Sequence, residues 1–254
     1  LISLKTQQEI EIMQENGRIL SVILDKVKHQ AKPGVSTQNL ADYARELIAN
    51  EKCKAAFLGY RGFPSCICAS INEEVVHGIP ARNRVLKQKD LLTIDIGIKK
   101  NGYYADMAKT VFIGDNIPTD LEKLIATTHK ALIIGIQNAV VGNTLGKISH
   151  SIERFIKQNG LSVVQRFVGH GIGKKLHEKP PIPNFGPENQ GPRLEIGMVF
   201  AIEPIATTGS PDVIIKDDGW TAITRDGSLS AHFEHMVAIT ESGPKILTST
   251  CQAG

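Results

Sequence analysis

The chain has 254 residues, enough to bury a sizeable core in one large domain. It is 41% hydrophobic and 22% charged, as in an ordinary globular protein, and a net charge of +3 with 29 scattered Lys and Arg argues against a nucleic-acid partner. Four cysteines (Cys53, Cys66, Cys68 and Cys251) form neither a CxxC pair nor a disulfide framework, and no apolar run reaches the roughly 18–20 residues of a membrane span, so a reducing, cytoplasmic setting is expected.

The opening LISLKTQQEIEIMQ lacks a signal-peptide core. Thr6-Gln7-Gln8-Glu9 reads as a capping box opening an amphipathic helix to about Gln30, before Pro33-Gly34 breaks it. Ser36 or Thr37 caps a second helix to about Asn50, and residues 56–80, broken by Gly and Pro, predict short strands and loops. A strand over 91–98, the pair Asn101-Gly102 and a return strand over 103–113 predict a β-hairpin with a two-residue turn. Helices are expected over 118–141 and 144–158, the second ended by Asn159-Gly160. Strands are expected over 162–168, 198–205 and 228–239, with the Gly/Pro-rich KPPIPNFGPENQGP between them. DLLTIDIG and GMVFAIEP echo one another, each an apolar strand carrying one acid near its end. No linker divides the chain. The pattern predicts one α+β domain over residues 1–254, built from two related halves at roughly 1–140 and 141–250.

The acids inside apolar runs are the first chemical signal. Asp95 lies in LLTIDIGI, Glu203 in VFAIEP and Glu234 in SAHFEHMVAI, and a buried acid is costly unless paired or bound to a cation. The predicted hairpin sets Lys100 opposite Tyr103, Asp106 opposite Gly97 and Asp95 opposite Ala108. Asp95 and Asp106 are then diagonal neighbours on one face, about 7–8 Å apart or somewhat less between Cβ atoms. Four gathered acids without matching Lys or Arg would be neutralised by two divalent cations. The stretch VGHGIGKKLHE, read alone, is equally a Gly-rich turn with two incidental imidazoles, but His170 from it completes a set of four carboxylates and one nitrogen. That donor set suits Mn, Fe, Co or Zn rather than a structural, sulfur-bound zinc, and two such ions about 3.5–4 Å apart can activate one water.

HGIP at 77–80, DIGIKKNGYYAD at 95–106, GHGIGKKLHE at 169–178, IEP at 202–204 and FEH at 233–235 together closely resemble type I methionine aminopeptidases. The resemblance runs from the first helix to about Thr248. It implies the pita-bread fold, a pseudo-two-fold pair of α/β halves around a central antiparallel sheet. It also implies the compact bacterial or organellar form, without a zinc-finger extension or the helical insert of the type II class. The implied activity is removal of the initiator methionine from nascent proteins whose second residue is small (Gly, Ala, Ser, Thr, Pro, Val or Cys).

By the same resemblance Asp95, Asp106, His170, Glu203 and Glu234 match the metal ligands, with Asp106 bridging, and Glu203 matches the proton shuttle. His177 matches the donor to the substrate carbonyl, and His77 the histidine that contacts the scissile amide nitrogen. Phe57, Tyr60, Phe63, Cys68, Leu176 and Trp220 align with the methionine pocket. Phe57 stands where a cysteine is expected, Phe63 where a tyrosine is and Leu176 where a phenylalanine is, which changes the pocket's shape but keeps it apolar. The carbonyls of Asn72, Glu74 and Ser230 align with a monovalent-cation site for Na or K. A monomer, transient ribosome association and no membrane partner are also implied. His232 shares the strand face of Glu234, His235 reads as structural, and His29, His129 and His150 lie on predicted helices as surface residues. Two other readings stand beside this one: a proline-specific peptidase of the same fold, and a metal-free binding protein that keeps it.

Overall fold

The computed structural model describes residues 2–249, so Cys251 lies outside the described residues. Helix α1 (Gln7–Gln30) opens on the predicted capping box: the Thr6 hydroxyl accepts from the Glu9 amide at 3.2 Å, and the Glu9 carboxylate accepts from the Thr6 amide at 2.9 Å. Ser36, not Thr37, caps α2 (Thr37–Asn50), with Asn39 returning the bond. The broken region that follows forms β1 (Lys54–Ala55), a single 3-10 turn, β2 (Ile67–Ile71) and β3 (Glu74–Val76).

Strands β4 (Leu91–Lys100) and β5 (Tyr103–Phe112) form the expected hairpin. Asn101 and Gly102 both take positive φ, +50° and +85°, as a type I′ turn requires. The register is the one the two-residue turn dictates, with Lys100 opposite Tyr103, Gly97 opposite Asp106 and Asp95 opposite Ala108. β1 and β2 both pair with β4 on the edge away from β5. α1 covers the face that carries Ile96, Ile98 and Tyr103, and Asn16 donates to the carbonyls of Lys100 and Tyr103 at the hairpin end. The opposite face, carrying Asp95, Gly97 and Asp106, is the one the site uses.

Helices α3 (Thr119–Gln137) and α4 (Leu145–Gln158) pack on each other and build a second core. α3 stops short of the expected residue 141 because Asn138 turns its side-chain amide back onto the Ile134 carbonyl at 2.9 Å. Val140 and Val141, which extended the apolar pattern, are exposed beyond the helix end.

The second half departs further from expectation. Of 162–168 only β6 (Ser162–Val163) is strand, while GHGIG, for which a Gly-rich turn is one of two readings, contributes β7 (Gly169–Gly171), paired on both edges. The neighbours of β7 are β8 (Glu178–Ile182) and β9 (Val199–Ile202). The expected strand 198–205 is two strands, β9 and β10 (Ile205–Thr207), interrupted at Glu203-Pro204. After β11 (Val213–Ile215) and β12 (Ala222–Thr224), the expected strand 228–239 is likewise two, β13 (Ser230–His232) and β14 (His235–Thr240), interrupted at Phe233-Glu234. β14 closes on β15 (Gly243–Ile246).

The two interruptions are one event. β9 pairs with β14 in a five-stranded sheet ordered β15-β14-β9-β7-β8, while β10 pairs with β13 in a three-stranded sheet with β6. Both chains change sheet together, and Glu203 and Glu234 occupy the crossing. Pro204, which has no amide hydrogen to give a ladder, sits where one chain leaves. The Glu234 amide instead donates to the Ala108 carbonyl of β5 at 2.9 Å, a bridge that joins the sheets of the two halves.

Candidate active site

The hairpin, the sheet crossing and the GHGIG strand meet at one cavity of ≈ 160 Å³. Its floor holds Asp95, Asp106, His170, Glu203 and Glu234, and its walls are Phe57, Tyr60, Phe63, Cys68, Leu176 and Trp220, with His77 and His177 also lining it. All thirteen residues assigned to metal binding, catalysis or the methionine pocket line it, from positions 57 to 234, whereas Asn72, Glu74, Ser230 and His232 do not. The cavity also includes Arg61, which no motif marked.

One ligand atom each from Asp106, His170 and Glu234 lies within 4.8 Å of the others. The Nε2 of His170 stands 3.9 Å from Asp106 Oδ2 and 3.7 Å from Glu203 Oε1. Its Nδ1 lies 2.9 Å from the carbonyl of Gly171. A carbonyl only accepts, so Nδ1 carries the proton and the Nε2 lone pair faces the acids. That is the tautomer a metal ligand needs, held by a backbone partner.

Burial pushes the Asp95 carboxyl up to about 7. Burial first, and the neighbouring acids second, hold Asp106, Glu203 and Glu234 well above the usual carboxylate range. Asp95 Oδ1 and Glu234 Oε1 are buried without a hydrogen-bond partner. Burial likewise lowers His170 to about 4. The protein thus gathers four acids and a neutral imidazole with oxygens left unpaired, an arrangement costly by itself and satisfied by divalent cations. The donor set of oxygens with one nitrogen fits such ions.

The GHGIG glycines do not form the turn that is one of the two readings of this stretch. None of the three takes positive φ. A side chain at Gly169 would strike the Ala201 carbonyl, and one at Gly171 the Lys179 carbonyl, so Gly is needed where neighbouring strands crowd β7. At Gly173 the nearest atoms belong to the side chains of Lys5 and Glu178, which are ion-paired at 2.6 Å with Lys5 buried, and Tyr104 donates to the Gly173 carbonyl at 2.9 Å. These bonds hold the loop that presents Leu176 and His177.

His177 Nδ1 is hydrogen-bonded to the Tyr60 hydroxyl at 2.9 Å, with the two rings stacked at 5.3 Å. Desolvation in the cleft, then the charges of His170, Arg61 and His77, lower it to about 3, so it is neutral at pH 7. His77, at φ +60°, meets Phe167 and Trp220 edge-on at 5.4 and 6.2 Å. Phe63 meets Trp220 the same way at 5.2 Å. Phe57 lies over Gly97, where a Cβ would come within 2.8 Å of its ring, so the hairpin glycine makes room for the wall. Cys68 stands opposite Asp95 across β2 and β4; burial and the acids push its thiol well up, and it remains a neutral apolar wall.

His232 stands against Glu203, with Nε2 3.7 Å from Oε2, and both its ring nitrogens lack hydrogen-bond partners. Its pairing with Glu203 rather than Glu234 follows from the sheet crossing. Of the carbonyls aligned with a monovalent-cation site, that of Asn72 accepts from the Ser230 amide at 3.0 Å, while the Glu74 side chain is ion-paired to Arg84 and Lys216. His29 and His129 are exposed, but His150 is half-buried, with Nδ1 3.3 Å from the Gly186 carbonyl, and His235 bonds Thr248. Sequence reasoning missed Phe167 as well as Arg61, because neither lies in a chemical motif and both reach the site only through the fold.

This fold and this cluster are those of a metallopeptidase. The chain belongs to metallopeptidase family M24, whose model matches residues 11–241. Among its relatives, methionine aminopeptidase 1 of Bacillus subtilis (strain 168) is 48% identical over 248 residues, covering 98% of this chain and 99% of its own. The methionine aminopeptidase of Escherichia coli (strain K12) is 38% identical over 249 residues, covering 97% and 94%. The crystal structure of methionine aminopeptidase from Thermotoga maritima matches with a TM-score of 0.96 at 39% identity, over 98% of this chain and all of that one. A prolidase from Pyrococcus furiosus shares the pita-bread fold at a TM-score of 0.77 and 22% identity, but this chain covers only 66% of it. No helix among the described residues is long and apolar enough to cross a membrane.

Proposed function

We propose that this protein is a metal-dependent aminopeptidase that removes the N-terminal methionine from peptides and nascent chains whose second residue is small. The observation that carries the reading is the floor of the cavity: four acids and the Nε2 lone pair of His170 beneath a narrow apolar well. Full-length relatives named methionine aminopeptidase support it over the proline-specific alternative. The filled ligand set argues against a metal-free binding protein.

Asp95, Asp106, His170, Glu203 and Glu234 would hold two divalent ions, of Mn, Fe, Co or Zn. Such ions supply Lewis acidity toward the attacking water and the scissile carbonyl. Glu203 accepts a proton from that water as its oxygen bonds to the carbonyl carbon, and hands it to the leaving amine as the C–N bond breaks. The imidazoles of His170 and His232, each 3.7 Å from one of its oxygens, limit how far Glu203 can swing. The Tyr60 hydroxyl can donate to Nδ1 of neutral His177, the arrangement in which Nε2–H donates to the carbonyl oxygen as charge develops there. His77 reaches the departing amide nitrogen. Phe57, Tyr60, Phe63, Cys68, Leu176 and Trp220 receive the methionine side chain, whose sulfur gains from the aromatic edges. Na or K at the Asn72, Glu74 and Ser230 carbonyls, a monomeric state, a cytoplasmic location and transient ribosome contact complete the proposal.

The test is release of free methionine from Met-Gly-Met-Met and Met-Leu-Met-Met by metal-stripped protein, before and after adding Mn, Fe or Co. Metal-dependent cleavage of the glycine peptide alone is expected. No cleavage with any metal would overturn the reading.

A further inference from the structure

The cavity floor is acidic, but one side of its mouth is not. Arg61 lines it, carried on a loop closed by a Gly59 amide to Phe63 carbonyl bond of 2.8 Å. Arg61 itself is left-handed, at φ +50° and ψ +23°, a conformation that costs a non-glycine residue energy and directs its side chain. Its guanidinium lies 5.5 Å from the Tyr60 ring centroid, next to His177. Lys175, exposed, precedes the wall residue Leu176.

Farther out, alternation along β4 puts Lys99 on the same face as Asp95 and Gly97. Four residues of strand separate it from Asp95, about 13 Å. Lys54 on β1 is directly opposite Lys99, a like-charge pair that destabilises a sheet. Lys99 rests over the Tyr104 ring at 4.6 Å. Among the described residues the side chains of Arg61, Lys175, Lys99 and Lys54 form no ion pair, although the Lys175 amide donates to the Glu178 carboxylate at 3.1 Å, in contrast to the Lys174 ammonium, paired with Glu9 at 3.2 Å. Asp218, two residues before the wall residue Trp220, is occupied by the Trp220 and Thr221 amides and the Thr221 hydroxyl.

We infer that this basic strip selects substrates with acidic residues about three to five positions from the N-terminus. It rests on the proposed activity, which puts the scissile carbonyl at His177 and so sends the following chain past Arg61 and Lys175. An extended peptide advances about 3.3–3.6 Å per residue, so its third to fifth residues fall within reach of the strip. The strip's uncompensated repulsion is relieved when a carboxylate arrives. A phosphate-bearing partner such as RNA fits less well, because the cations follow the cavity's own face inward to its mouth.

The experiment compares kcat/KM for Met-Ala-Glu-Glu-Glu and Met-Ala-Gln-Gln-Gln in the metal-loaded enzyme. The acidic peptide is expected to be favoured about fivefold or more at low salt, with the ratio approaching one near 0.5 M salt. The triple variant Lys54→Gln, Lys99→Gln, Lys175→Gln should bring the ratio to about one, and Arg61→Asn, which tolerates the left-handed backbone, should reduce it separately. Equal cleavage of both peptides by the unaltered enzyme, or a ratio unmoved by the variants, overturns the inference. Should neither peptide be cleaved, the activity reading fails, and the relative affinity of the same two peptides, read by calorimetry, decides the strip on its own. Competition by a single-stranded RNA that abolishes the preference without acidic-peptide binding would assign the strip to nucleic acid instead.

Discussion

At the scale of single residues, the hydrogen-bond partner of one ring nitrogen sets what the other can do. The Gly171 carbonyl, which only accepts, leaves the Nε2 lone pair of His170 facing the acids, and His177, neutral at pH 7, shares a hydrogen bond with the Tyr60 hydroxyl, whose donation to Nδ1 puts the ring proton on Nε2. If His177 stabilises charge that exists only in the transition state, His177→Ala lowers kcat by about 10²–10³ while KM moves little. Steady-state kinetics on a Met-Gly peptide check it; a rise in KM with unchanged kcat would make His177 a simple binding group. The acid-bearing runs were legible as anomalies because a carboxylate amid Leu, Ile and Val has few inexpensive explanations. The partner of His232 was not legible, since a two-residue period holds only while a strand continues, and this one breaks at Phe233.

At the scale of elements, the hairpin and the helix starts were written locally. A two-residue Asn-Gly turn leaves one register, and the capping boxes at Thr6 and Ser36 are satisfied within three residues. GHGIG was ambiguous for the opposite reason. Glycine in a sequence signals either a turn or a close neighbour, and only the packed sheet shows that Ala201 and Lys179 are the neighbours. This separates two substitutions that look alike. Gly169→Ala drives a methyl into a backbone carbonyl held in a central strand and should cost about 1–3 kcal/mol. Gly173→Ala meets the ends of the Lys5 and Glu178 side chains, which can move, and should cost less. Denaturant midpoints of the two variants measure the difference, and equal losses would contradict the assignment.

At the scale of the whole molecule, metal and proton compete for one cluster. In the metal-free protein the acids have raised pKa values, Asp95 at about 7 against 3.8 unfolded, so the folded state holds more protons and loses stability as pH rises across that window. The histidines work in the reverse sense: His170 lies at about 4 and His177 at about 3 against 6.5 unfolded, so their contribution grows as pH rises toward 6.5. The two oppose each other below about pH 6.5, and only the acids remain above it. The Tm of metal-free protein should therefore fall between about pH 6.5 and 8. Divalent metal at about 100 times its Kd should raise Tm by roughly 5–10 °C and remove that fall, because the bound cluster is ionised throughout. Thermal melts in chelator and in Mn at the two pH values test both signs; a metal-free Tm that rises toward pH 8 would mean the acids are not held protonated.

The amino-acid sequence by itself determined the helices, the hairpin and its register, and which acids and histidines were out of place, because periodicity, caps and turn chemistry act over a few residues. The tertiary structure alone decided that β9 and β14 exchange sheets at Glu203 and Glu234, that Gly97 yields its space to Phe57, that Arg61 shares a cavity with His177, and that Phe167 packs on His77. Those outcomes depend on strand pairings and close approaches between distant segments, which no local pattern specifies, since a break or a glycine has several uses until the neighbouring chain is in place.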